Sequence, residues 1–168
     1  MSNVVSFSPW LHWDQRSASP ERDGPGVYLL GRFEEGAPAI VDPADERVLL
    51  IAETRDQSLA DRWYQFHRCA FEGADGHSGG RTFRRLFTNG PDSAVPGWLY
   101  VAAAGVPAKE DAGRFTKDVT KRLLTEYEER CGRVSGERKR PASSSRHFDR
   151  RDANARICWA IEPNWQVY

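Results

Sequence analysis

The chain has little of what would tie it to an oxidising compartment, to a bilayer or to polyanions in general. It carries three cysteines, Cys69, Cys131 and Cys158, in 168 residues. Their number is odd, their spacing is wide and no C-x-x-C pair occurs, which argues against a disulfide framework and against a structural zinc site. The apolar runs, residues 98–106 among the longest, fall far short of the roughly 18 to 20 residues that a membrane-spanning helix needs. The first seven residues lack both the basic flank and the long apolar segment of a secretory signal, so a cytoplasmic setting is expected. Lys and Arg number 24 and Asp and Glu 24, a formal net charge of zero. The molecule as a whole therefore exerts no general attraction on phosphate.

What charge there is, however, is segregated. Residues 1–61 hold five arginines against eleven acids, whereas residues 130–156 hold nine basic residues against three acids. A basic stretch in a neutral protein is either a phosphate-binding face or a solvated loop, and composition leaves both open. At this length one domain with one core is expected over residues 1–168.

The order of elements follows from periodicity and punctuation. Residues 9–13, Pro-Trp-Leu-His-Trp, place two tryptophans where they can pack an N-terminal segment onto the body. After the turn signal Asp23-Gly24-Pro25-Gly26, residues 27–33 and 47–52 read as two strands joined across a polar connection. Residues 58–71 space Leu59, Trp63, Phe66 and Ala70 as on one helix face, with Ser58 or Asp56 as the cap. Residues 73–80 read as a flexible loop, 81–87 as a short helix and 98–103 as a third strand. The longest helix is predicted over residues 112–130, with Phe115, Val119, Leu123 and Tyr127 every four residues and Gly132 ending it. A basic linker and a further short strand near residues 157–161 follow. The order β-β-α-(α)-β-α makes an α+β fold with a small mixed or antiparallel sheet of three strands flanked by helices.

Gly26-Val27-Tyr28 on the first strand, Leu50-Ile51-Ala52 followed by Glu53-Thr54 on the second, Arg62 on the following helix and His67 five residues on occur in an order that resembles the GIY-YIG nuclease superfamily. The resemblance covers roughly residues 24–134. It implies a GIY-YIG-like fold and hydrolysis of phosphodiester bonds in DNA or RNA with one divalent cation, Mg or Mn. In that mechanism the tyrosine, here Tyr28, orients or activates water and the arginine, here Arg62, balances charge building on the phosphate. A carboxylate on the late helix holds the metal. His67 lies near the place of a histidine found in many members.

Three positions depart from the pattern. Leu50 stands for the second signature tyrosine and Ala52 for its glycine. Residues 119–127 fit the late-helix pattern except that Thr120 stands where the metal-binding glutamate belongs, and a neutral hydroxyl is a poor ligand for a hard cation. Glu53, just past the second strand, is the acid expected to replace it, against a plain role at the start of the helix. Gly132 occupies the place of an asparagine, for which Asn154 could substitute.

Two further features carry candidate chemistry. His77 lies among glycines in residues 76–80, whose exposed N–H groups let a phosphate approach. Arg81, Arg84 and Arg85, and beyond them Arg138, Lys139 and Arg140, could track a nucleic-acid backbone. Trp63, Tyr64 and Phe66 share helical phase and are expected in the core. The leading expectation is a metal-dependent endonuclease. The alternatives are a silenced nucleic-acid-binding module, or an enzyme of different chemistry using Glu53, His67 and His77.

Overall fold

The computed structural model of the chain describes residues 5–106, 112–131 and 158–159. An antiparallel sheet organises them. Its strands are β1 (Leu11–His12), β2 (Gly26–Arg32), β3 (Val48–Thr54), β4 (Leu99–Gly105) and β5 (Cys158–Trp159), in the spatial order β1-β4-β2-β3-β5. Three helices pack on it: α1 (Leu59–Phe71), α2 (Ser78–Phe87) and α3 (Ala112–Cys131). The fold is α+β as expected, but the sheet has five strands rather than three and every pairing is antiparallel. Of the two extra edges, each two residues long, β5 falls within the further short strand read near residues 157–161, whereas β1 is too short to show any alternation in the sequence.

β2 and β3 are apolar along almost their whole length because both faces of the sheet are covered. Every residue of β3 is buried, and every residue of β2 except Arg32. On one face Tyr28, Leu30, Leu50, Ala52 and Ala103 pack under α1 and α2 through Leu59, Trp63, Phe66 and Phe83. On the other, Val27, Leu29, Ile51 and Ala102 pack under α3 through Val119, Leu123 and Tyr127. The two N-terminal tryptophans clamp the sheet's edge from both sides. Trp13 joins the first cluster, edge-on to Phe66 at 5.2 Å, and Trp10 joins the second, edge-on to Phe33 at 4.9 Å.

Local chemistry sets the helix starts. The Ser58 hydroxyl accepts the Asp61 N–H at 3.0 Å and caps α1. Leu59, Arg62, Trp63, Phe66, Cys69 and Ala70 then fall on one face, so Arg62 is carried inward with the apolar stripe. α2 begins three residues earlier than its apolar pattern predicts, inside the segment read as a flexible loop. His77 caps it: Nδ1 accepts the Gly80 N–H at 3.0 Å. Gly80 packs rather than presenting its backbone to a ligand, because a Cβ there would lie 2.7 Å from Cys69 Cβ and 3.0 Å from the Phe66 carbonyl oxygen. Gly26 has a packing reason as well. A side chain there would run into the Ala104 carbonyl oxygen and Leu59, so glycine lets β2 start against β4 under the first turn of α1.

Candidate functional site

Tyr28 and Arg62 meet. In β2, Tyr28 lies opposite Ala52 of β3 and Ala103 of β4, small residues that leave its ring to be covered by α1. Trp63 meets that ring edge-on at 6.3 Å, and Arg62 bears on the phenol with its charge and its N–H groups. No hydrogen bond of normal geometry joins them: Tyr28 Oη and Arg62 Nε and Nη2 are all buried without a partner. The cluster is enclosed, Tyr28 being 0% exposed and Arg62 7%. Burial pushes the Tyr28 phenol up to about 12, against the opposing pull of Arg62.

His77 belongs to the same environment. It is wholly buried, its ring edge-on to Phe66 at 5.4 Å, and its Nε2 has no partner. Burial first, and then the Arg62 charge, depress its imidazole to about 3. It is neutral at physiological pH.

The solvent side of Arg62 is closed by an amide pair that no sequence motif singles out. Arg62 Nη1 donates to Gln65 Oε1 at 3.3 Å, while Gln65 Nε2 donates to Gln57 Oε1 at 2.8 Å and Gln57 Nε2 to Gln65 Oε1 at 3.3 Å. The Thr54 hydroxyl donates to the Gln57 carbonyl at 3.0 Å and pins the loop that carries this cover. Gln65 was detectable in principle, since it lies three residues after Arg62 and so above it on the helix.

The other candidates lie elsewhere. His67, five residues past Arg62 and therefore about 140° further round the helix, accepts the Trp13 Nε1–H on Nδ1 at 3.1 Å and turns Nε2 toward Glu72 at 3.6 Å. Glu53 is within β3 rather than past it, and pairs with Val27, so its side chain faces α3. It is 2% exposed. Oε1 accepts from Arg55 Nε at 2.8 Å and from Nη2, and Oε2 has no partner.

Thr120, the position at which the resemblance expects a metal-binding acid, is on α3, 1% exposed, its hydroxyl unpartnered. α3 runs antiparallel to β3: Gly113 packs against Arg55, and Tyr127 Oη donates to the Val48 carbonyl at 3.4 Å. With rises of about 1.5 Å per helical and 3.3 Å per strand residue, Glu53 falls near the level of Thr116 and Lys117, about one helical turn from Thr120. One carboxylate oxygen and a hydroxyl, beside an oxygen already held by Arg55, do not fit a divalent cation. Among the described residues no group of three or more His, Cys, Asp or Glu is disposed to hold a metal.

Of the arginines, Arg81 and Arg85 are exposed on α2, while Arg84 is half-buried and donates from Nη1 to the Cys69 carbonyl at 3.1 Å. Arg138, Lys139 and Arg140, with Gly132 and Asn154, lie outside the described residues. Tyr64, expected in the core, is 59% exposed, with the Arg68 guanidinium 5.9 Å from its ring centre. No helix among the described residues is long and apolar enough to cross a membrane. Compared with protein-family models, with curated proteins and with solved structures, the chain matches none.

Proposed function

We propose that the chain is a nucleic-acid-binding module on a GIY-YIG-like scaffold whose phosphodiester-cleaving chemistry is silent. The enclosure of Tyr28 carries this reading. A phenol that ionises at about 12 is phenolate to roughly one part in 100,000 at pH 7, and it cannot reach a polymer's phosphate from a position that solvent does not touch. The candidate acid, Glu53, is on the opposite face of the sheet, under α3. Binding is assigned to the outer surface, where Arg81, Arg85 and Arg68 are exposed and Tyr64 offers a ring for stacking.

The test is salt-dependent binding without turnover. A labelled oligonucleotide should bind with an affinity that falls log-linearly with salt, and plasmid, single strands and RNA should stay intact in Mg or Mn. Binding indifferent to salt would remove the electrostatic basis of the reading.

A metal-dependent endonuclease is the second reading, favoured by the meeting of Tyr28 and Arg62. It requires the Gln57–Gln65 cover to open and a carboxylate to reach the Tyr28 side of the sheet, so metal-dependent nicking in the same assay would establish it. An enzyme of different chemistry built on Glu53, His67 and His77 draws no support, because the three side chains sit in three separate environments.

A further inference from the structure

Arg62 brings a full positive charge into the core, and among the described residues its one acceptor is Gln65 Oε1, on the solvent side. Its inner nitrogens, Nε and Nη2, have none. A buried charge in this condition is strongly disfavoured unless something answers it.

The groups around it bring no negative charge to answer it. The Gly80 N–H is accepted by His77 Nδ1, so the ring proton is on Nε2, which is a donor. Trp63 Nε1, buried and unpartnered, is a donor. The Tyr28 hydroxyl is both donor and acceptor: its oxygen faces the Arg62 N–H groups but carries no charge, and its own proton still needs an acceptor. The charged groups that act on Tyr28 and His77 are Arg62 and, for His77, Arg81; no carboxylate is among them. The cluster is a surplus of donors around one uncompensated cation, and buried donors in native proteins find acceptors.

We propose that this enclosed cluster holds one small monovalent anion of chloride size against the inner edge of Arg62. One negative charge neutralises one guanidinium, whereas a dianion such as sulfate or hydrogen phosphate would leave a net buried charge. Full enclosure rules out a phosphate that belongs to a polymer. Ala52 and Ala103, opposite Tyr28 in both neighbouring strands, are small and set no bulky side chain beside it. The Gln57–Gln65 pair, part-exposed and held by three hydrogen bonds of 2.8 to 3.3 Å that include the one from Arg62, is the door through which the ion exchanges.

The experiment is thermal unfolding of the full chain at fixed ionic strength as chloride replaces gluconate, with parallel arms in bromide, sulfate and orthophosphate. Tm should rise with the logarithm of chloride and of bromide beyond the rise in the Arg62→Met variant, whereas the general stabilisation by the two oxyanions should be equal in both proteins. If that variant does not fold, His77→Asn, which keeps a side-chain cap for Gly80, should need at least tenfold more chloride for half the rise. A bromide-soaked crystal should show its anomalous peak beside Arg62. A Tm unchanged by halides, an undiminished halide response in the variant, an Arg62-dependent response to orthophosphate alone, or a bromide peak elsewhere would each overturn the proposal.

Discussion

Tyr28 and Glu53 belong to strands that pair directly, yet they point to opposite faces of the sheet: Tyr28 stands opposite Ala52, and Glu53, one residue further on, stands opposite Val27. Side chains alternate along a strand, so that single step carries the carboxylate from the α1 side to the α3 side. There it is enclosed with Arg55, which donates to it through Nε and Nη2. The acid that the resemblance offers in place of Thr120 is thus committed to an ion pair, with one oxygen left buried and unpartnered.

Removing Arg55 should therefore be costly. Arg55→Ala leaves the Glu53 carboxylate buried, and breaking such a pair from one side typically costs about 3 kcal/mol or more. Urea denaturation should show a loss of that order. Glu53→Gln in the same chain should recover at least half of it, because the residual charge is gone. A loss below about 0.5 kcal/mol would mean that Glu53 finds another partner.

Stability should also fall in acid through His77. Its folded value of about 3 lies below the unfolded value of about 6.5, so below pH 6.5 the unfolded chain binds a proton that the folded chain refuses. The stabilisation is fully present above pH 6.5 and is lost as pH falls toward 3, at up to about 1.4 kcal/mol per pH unit. His67, also lowered by burial and by Arg16, adds to the same slope. Urea midpoints between pH 7.5 and 4.5 should show the decline, and His77→Asn should flatten it. An unchanged slope in that variant would assign the decline to other groups.

Much of this core was legible in the sequence, for physical reasons. Tyr28 is on an apolar run whose alternation puts it on the side of Leu30, and Arg62 falls within the helical stripe of Leu59, Trp63 and Phe66, so their meeting follows from two periods read together. The same stripe carried the information that Arg62 is buried, though an arginine among leucine and tryptophan invites a functional reading first. The face occupied by Glu53 was hidden, because the apolar run gave no reason to extend the strand past Ala52. His77 was hidden too: its capping bond depends on α2 starting at Ser78, in a stretch of glycines that favours a loop. Tyr64 shares the helix with Trp63 and Phe66, but a step of 100° turns it outward.

The close crossing of α1 and α2 should make Gly80 intolerant of a side chain. Its phenyl neighbourhood is already full, with Phe66, Phe71 and Phe83 in mutual edge contact. Gly80→Ala should lower stability by about 1 to 3 kcal/mol through overpacking, despite alanine's better helix propensity. The thermal midpoint checks it; a rise would mean that the helices separate without cost.

The α2 arginines divide into two roles, and substitution should separate them. Arg85 is exposed, whereas Arg84 is tied to the Cys69 carbonyl and so helps to fasten α2 to α1. If α2 lies along a nucleic-acid backbone, Arg85→Glu should weaken oligonucleotide binding and reduce the slope of log affinity against log salt by about 0.7 to 0.9 for each phosphate that is no longer neutralised. Arg84→Ala should act mainly on stability, lowering the urea midpoint and leaving the salt slope of the folded protein unchanged. Fluorescence anisotropy across a salt series, run alongside urea denaturation of each variant, distinguishes the two. A normal salt slope in Arg85→Glu would move the binding face off α2.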